Sequence, residues 1–464
     1  MVTFTARRSE PELVRPARRT PVETKALSDL DDQWSLRFYE SIVGFFRSPP
    51  GETVKPGKVA RGIKAAVAAA LVYYYPMAGR LRKLPDGNKL VVDCTGEGVM
   101  FVEATADVRL EDLGQPLVPP YPCVEEFLGD AGDTRVVVGK PLLFLQVAFL
   151  NSICFIFTCV TQLKCGGFVI GLHMCHCIAD GFGILQFIKS IADFACGELV
   201  PTTLPVWKRD TFTTRMPPSI THVYPAYKPF IQGLDCMGDD VMLSTPPESM
   251  EVQYLFFGPK EIEILRSHLP EHTSKSTTTF ELLTAVMWRC RTLALGYGSS
   301  QKVRIMFTLN TRGRSINGES AVPRGYYGNA HFSPMVEVTV NGLVTQPLEH
   351  VLEMIHKVKL DTTKDCMKSM VDLMALWRER SPFGMDRTYE VSDTKWVGGN
   401  ALRFGKAELV AAGTPHAGDF TSKLISYHTK CKNEDGEDST VVSILLPKLA
   451  MVRFTKEMAI WLKK

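Results

Sequence analysis

Apolar residues recur along the chain at two periods, close to 3.6 and close to 2, and they divide it into helices and strands. Lys58–Tyr75 ("KVARGIKAAVAAALVYYY") carries alanines and larger apolar residues at helical spacing until Pro76 ends it. "NKLVVDCTGEGVMFVEATA" reads as two strands around a turn at Gly96–Gly98. Phe168–His176 is a short apolar run suited to a buried strand. After Gly181 the apolar positions 184, 185, 187, 188, 191 and 194 form one face of a helix. Farther on, "MEVQYLFFG" predicts a strand and "KEIEILRSHL" a helix. "STTTFELLTAVMWRCRTLAL" predicts another helix, capped by Ser or Thr with Glu281 in its first turn. "KVRIMFTLNTRGR" and "HFSPMVEVTV" are strand-like, "EHVLEMIHKVKLDTTKDC" is helical, and "STVVSILLPKLAMVRF" reads as a late strand pair.

Between the two series lies "CGELVPTTLPVWKRDTFTTRMPPSITHVYPAYKP", six prolines with little periodicity, which reads as a crossover. The expected organisation is a mixed α/β protein with an N-terminal domain over 1–195, a linker over 196–230 and a C-terminal domain over 231–464. Length agrees, because 464 residues exceed the roughly 250–300 at which a single core stops growing. With 53 basic and 50 acidic residues the formal charge is only +3, which argues against nucleic acid or an anionic membrane as partner. The 12 cysteines show no disulfide-like framework, and the first residues lack the apolar core of a secretory signal, so a cytoplasmic location is expected. Leu142–Val160 is uncharged over 19 residues, near the length of a membrane span. Gln146, Asn151 and Ser152 inside it favour a buried strand instead.

The chemistry concentrates in "GLHMCHCIADG", Gly171–Gly181. Alternate residues of a strand face opposite sides, so His173, Cys175 and Cys177 share one face and His176 takes the other. That parity, and the lack of a second ligand pair elsewhere, argues against a metal site. His173 reads as a packed strand residue. His176 lies at the strand's C-terminal end, four residues before Asp180, where a scaffold can present an imidazole to substrate. With an ordinary pKa near 6.5, an imidazole suits the removal of a proton near neutral pH. Asp180 can orient that ring, pair with an arginine or cap the following helix. No G-x-S-x-G elbow accompanies the pair, which suggests direct transfer between two bound substrates.

"HCIAD" followed by Gly181 resembles the H-x-x-x-D-G motif of the plant BAHD acyl-CoA-dependent acyltransferases, and the likeness extends over nearly the whole chain. "YYYPMAGRL", "DCTGEGVMFVEA", "LPVW", "TFELLTAVMWRCRT" and "GYYGNA" fit the same family, and within it the benzyl alcohol O-benzoyltransferase branch. The resemblance implies two similar chloramphenicol-acetyltransferase-like domains, each a mixed sheet with helices, and an active-site channel between them. It implies acyl-CoA as a co-substrate with no other cofactor, a small alcohol as acceptor, and a monomer. His176 would act as general base, benzoyl-CoA and benzyl alcohol being the expected pair. An amine acceptor, acetyl or hydroxycinnamoyl donors, or a degenerate paralogue that binds without turnover are the alternatives. Asp180 would play a structural part with Gly181 and pair with Arg312. Lys275, Ser276, Thr277 and Thr278 are candidate contacts for CoA phosphates, or an ordinary helix cap.

Two departures stand against the family pattern. Its second motif, D-F-G-W-G, corresponds here to "NALRFGKAELV": either Phe404 and Gly405 remain with Arg403 at the Asp position, or Phe404 stands where Trp belongs, and both alignments lose the acidic residue and the Trp. A Phe has no N–H donor, and loss of one oxyanion donor costs about 2.7–4 kcal/mol in the transition state. Ala148–Val160 is additional in comparison with the family. Those residues read as translated intron or a gene-model error; as a genuine insertion they would shift the register of strand 168–176 and misplace His176.

Overall fold

Two mixed sheets, each backed by helices on one face, carry the site between them. The computed structural model describes residues 2–49, 56–85, 87–150, 167–231, 240–313, 315–316, 319–320, 322–378, 385–395, 402–415 and 423–463. In chain order the elements used below are β1 (Tyr39–Arg47), α1 (Pro56–Tyr73), β2 (Val99–Ala106), β3 (Leu143–Leu150), β4 (Phe168–Cys175) and α2 (Gly181–Ala195). They continue with β5 (Met250–Phe257), α3 (Thr279–Leu295), β6 (Lys302–Phe307), β7 (Leu309–Asn310), β8 (His331–Phe332), β9 (Met335–Thr339) and β10 (Thr388–Asp393). The last are β11 (Ala407–Gly413), β12 (Ile425–Lys432), β13 (Asp438–Pro447) and α4 (Lys448–Trp461).

The first sheet runs β2, β3, β4, β1, β11, with short strands at Ala6–Arg8 and Arg403–Phe404 on its two ends. Every residue of β3 and β4 is buried, which is why both read as apolar runs, broken only by Gln146 and His173, rather than as alternation. β4 is paired without interruption to β1 from Tyr39↔Cys175 to Phe46↔Phe168, and to β3 from Leu143↔Met174 to Phe149↔Phe168. Both ladders are free of bulges. Ala148, Phe149 and Leu150, counted as extra by sequence, are the last residues of β3 and also pair with β2. Residues 151–160 lie outside the described ones. Among the described residues no helix is long and apolar enough to cross a membrane.

The second sheet runs β5, β13, β12, β10, β6, β9, with β10 parallel to both of its neighbours. β11 and Arg403–Phe404, although late in the chain, return to the first sheet, where β11 pairs antiparallel to β1. Two expectations are corrected here. "KLAMVRF" is not a strand but the start of α4: Pro447 opens it, and Ala450, Met451, Phe454 and Met458 bury one face at helical spacing. "EHVLEMIHKVKLDTTKDC" is two helices, Leu348–Leu360 and Lys364–Leu376, because Thr363 caps the second by accepting from the Cys366 N–H.

What joins the halves is a set of buried charges. Asp180 caps α2 by accepting from the Gly183 N–H at 2.9 Å. The same carboxylate accepts from Arg312 Nη1 at 2.8 Å and Nη2 at 3.0 Å, and from the Ala330 N–H at 3.0 Å. Asp31 accepts from Asn329 N–H at 2.9 Å and Nδ2 at 2.8 Å, and pairs with Arg209 Nε at 3.0 Å. Burial alone would raise the Asp180 carboxyl, but Arg312 and His331 outweigh it and hold the group well below the ordinary carboxylate range. α2 also comes so close to this segment that a Cβ on Gly183 would stand 2.0 Å from the Tyr327 carbonyl oxygen.

Asp180→Ala should lower the unfolding free energy by about 3–5 kcal/mol, because Arg312 is left without its buried partner. Because the Asp180 pKa is depressed in the folded state, its contribution is present above the unfolded value near 3.9 and is lost as pH falls through the folded one. Gly183→Ala should cost about 1–3 kcal/mol by overpacking. Urea unfolding followed by circular dichroism checks all three expectations.

Candidate active site

His176 is the first residue beyond β4, and its backbone is held on both sides. Its N–H donates to the Phe38 carbonyl at 2.9 Å, and its carbonyl accepts from Asn329 Nδ2 at 2.8 Å. The half-buried ring stands 5.4 Å from Phe38 and 6.1 Å, edge to face, from His331. Its Nδ1 is buried with no hydrogen-bond partner among the described residues. Burial first, and then the charge of His331, push its pKa down to about 4, while Asp180 pulls the other way. At neutral pH the imidazole is thus uncharged and keeps a lone pair for an incoming proton.

Asp180 does not hydrogen-bond to His176. Its oxygens are taken by Arg312, Gly183 and Ala330, and His331 Nδ1 lies 3.9 Å away. Of the three parts open to it by sequence, it fills two, the ion pair and the cap. The other histidine of the motif, His173, is satisfied inside the sheet, with Nδ1 2.8 Å from Ser41 Oγ and Nε2 2.8 Å from the Gly129 carbonyl. Among the described residues no group of three or more His, Cys, Asp or Glu side chains is arranged to hold a metal ion.

A cleft of about 600 Å³ opens at His176 and runs between the halves. Asp180, Gly181, Asn310 and His331 line it near the histidine, and Thr278, Thr279, Phe280, Lys359 and Lys395 line it farther along α3 and β10. Of the four residues named from the Thr-rich segment, Thr278 lines the cleft and also caps α3 in a reciprocal capping box with Glu281. Lys275 is exposed and paired to Glu271 at 2.6 Å, the Ser276 hydroxyl donates to the His272 carbonyl at 3.1 Å, and Thr277 ends a short helix. The cations on the cleft wall are Lys359, 2.6 Å from Glu281 Oε1, and Lys395, 3.5 Å from Asp393.

The altered second motif lies elsewhere. Arg403 pairs with Glu408 at 2.6 Å on the surface, and Phe404 is buried with its ring edge-on to Phe46 at 5.1 Å. Gly405 makes the turn into β11 at φ +61°. None of the three is among the residues that line the cleft. The hairpin meets the end of α2, where the Cys196 thiol points at the carbonyls of Arg403 and Gly405.

Sequence reasoning passed over His331, Asn329, Lys359 and Lys395. His331 reaches the cleft only because β8 pairs with β7, placing it opposite Asn310. That pairing of "GNAHF" with "NTRGR" leaves no local trace in either segment.

Comparison with known proteins agrees with this architecture. The Transferase family pattern matches residues 1–460. The chain is 55% identical to Acyl transferase 1 of Oryza sativa subsp. japonica, over all of this chain and 97% of that one. It is 48% identical to Spermidine hydroxycinnamoyltransferase 1 of the same organism, over 93% of each. With Benzyl alcohol O-benzoyltransferase of Petunia hybrida it shares 41% identity, over all of this chain and 95% of that one. Among solved structures, vinorine synthase superposes with a TM-score of 0.72 at 19% identity, covering 99% of this chain and all of that one. TRI101 of F. sporotrichioides, crystallised with coenzyme A and T-2, gives 0.66 at 15% identity, covering 93% and 97%. With these matches over its whole length, the chain belongs to the Transferase family, the BAHD acyltransferases whose H-x-x-x-D-G motif it carries at His176–Gly181.

Proposed function

We propose that this protein transfers an aromatic acyl group from its CoA thioester to a small nucleophile bound in the same cleft, with His176 as general base. The observation that carries this reading is an uncharged imidazole at the wall of a 600 Å³ cleft, with no Ser, Thr or Cys side chain hydrogen-bonded to it among the described residues. His176 takes the proton of the acceptor as its oxygen or nitrogen attacks the thioester carbonyl. The tetrahedral intermediate collapses with cleavage of the C–S bond, and the imidazolium returns the proton to the CoA thiolate. Holding both substrates in one cleft removes the entropic cost of their encounter. Lys359 and Lys395 supply positive charge for the CoA phosphates, and Thr278 and Thr279 supply donors at the start of α3. CoA appears in the TRI101 crystals of the same fold, which supports a CoA thioester as donor.

Benzoyl-CoA with benzyl alcohol is the pair suggested by the relative of that name at 41% identity. An amine acceptor is the second reading, favoured by the 48% identical spermidine hydroxycinnamoyltransferase. Both acceptors use the same base and the same thioester chemistry.

Thiol release from benzoyl-CoA and cinnamoyl-CoA, with alcohol and amine acceptors, tests the reading. His176→Ala should lower kcat by about 10²–10⁴-fold. With an alcohol acceptor, whose own ionisation does not intrude, kcat/KM should stay level below pH 6.5 and fall only as pH passes through about 4. Acyl-CoA that binds without thiol release on any acceptor would replace the enzyme reading by the degenerate-paralogue one.

A further inference from the structure

β6 and β10 run side by side, and their alternation sorts side chains onto two faces. Tyr389 and Val391 are buried in the second core. The opposite parity of β10 carries Glu390 and Ser392, with Met306 across from Glu390 and the Thr308 hydroxyl 3.3 Å from that of Ser392. Thr308, Ser392, Asn310 and His331 line the cleft. Glu390 therefore shares the face of Ser392, about 7 Å along the strand, behind the residues that line the cleft and close enough to His331 to feel its charge. It is half-buried, and among the described residues it has neither a hydrogen-bond nor an ion-pair partner. Burial pushes its pKa up to about 7, and His331 pulls it the other way.

Its surroundings suit a cation. Tyr227 brings its hydroxyl to 3.6 Å from Met306 Sδ, beside Glu390's cross-strand neighbour, and its ring stacks on Trp377 at 6.4 Å. A carboxylate next to aromatic rings, shielded from bulk water, attracts an ammonium by charge and by the ring faces together. Every other buried carboxylate of the interface has such a partner within the chain: Asp180 has Arg312, and Asp31 has Arg209. An unpaired carboxylate is costly in a protein interior, and the cost disappears when the ligand brings the cation.

We propose that Glu390 binds the distal ammonium of an alkyl di- or polyamine whose other, neutral amine is acylated at His176. The inference rests on the acyl-transfer reading above and adds the acceptor class to it. In the step itself the terminal nitrogen forms a C–N bond to the acyl carbon, the C–S bond breaks, and the nitrogen's proton passes through His176 to the CoA thiolate. Glu390 exchanges no proton and makes no bond. It sets which acceptor is held and how far its free end reaches into the cleft.

The test compares 1,4-diaminobutane with 1-aminopentane, which has the same number of heavy atoms and no second charge, and with benzyl alcohol. Each is offered with benzoyl-CoA and with cinnamoyl-CoA to the full chain and to its Glu390→Gln variant, and thiol release is followed. The expected result is a preference in kcat/KM of about 10- to 100-fold for the diamine over the monoamine, lost in the variant. Rates with 1-aminopentane and benzyl alcohol should stay the same in both proteins. Turnover of the monoamine or the alcohol without a diamine preference would overturn the inference and leave acyl transfer standing. A variant slowed equally on all three acceptors would also overturn it, by assigning Glu390 a structural part. A wild-type chain inert with every pair would remove the acyl-transfer reading and this inference with it.

Discussion

The carboxylate of Asp180 is the point on which the two halves of the molecule turn. It starts α2 as its cap and reaches across to Arg312 and Ala330 in the other half. A helix cap alone is worth about 1 kcal/mol, and a second half could be docked by apolar contact alone. Combining cap and ion pair in one buried group makes the position of His176, four residues earlier, depend on the docking of β7 and β8. Asn329 tightens the same dependence, since its side chain bonds both Asp31 and the His176 carbonyl. The base is therefore held by strand pairing on one side and by interdomain polar contacts on the other.

That arrangement also explains the electrostatic state of the histidine. In a Ser-His-Asp triad the carboxylate faces the imidazole and raises its affinity for a proton. Here the carboxylate is committed to an arginine, His331 stands opposite the ring, and burial disfavours charge, so the imidazole stays neutral. A neutral base next to a thioester needs its proton only for the lifetime of the tetrahedral intermediate. The departing thiolate takes it back. A low pKa favours the second half of that exchange as much as it weakens the first.

Much of the scaffold was legible from the chain. The capped helix α3, the strand–turn–helix at His176 and the proline-rich crossover all carry local signals strong enough to survive folding, because period, cap and breaker agree at each. The failures share a cause. β1, "YESIVGFFR", is an interior strand of the first sheet, yet nothing local separates it from a loop with apolar residues. The start of α4 reads as strand because "KLAMVRF" follows a true strand without a polar break, and Pro447 is the one local sign of a helix start. His331, Asn329 and Glu390 acquire their chemistry only from partners distant in sequence. The cluster at 28–32, "SDLDD", looks like a solvated acidic run and is instead buried against Arg209, Arg37 and Arg378. Arg37 is five residues from Asp32, but a charge run tells nothing of partners such as Arg209 and Arg378, which lie more than a hundred residues away.

The departure of the second motif from its family pattern takes on a different meaning in this frame. Its residues build a hairpin that crosses from the later part of the chain into the first sheet and rests on the C-terminal end of α2. Asp180 holds the N-terminal end of the same helix. A helix fixed at both ends cannot slide along β4, and that rigidity keeps the turn at His176 in place. The position needs an apolar side chain to fill the space beside Phe46 and a residue tolerant of positive φ to turn the chain. Phe404 and Gly405 meet both needs. An indole N–H and an acidic neighbour take no part in that packing.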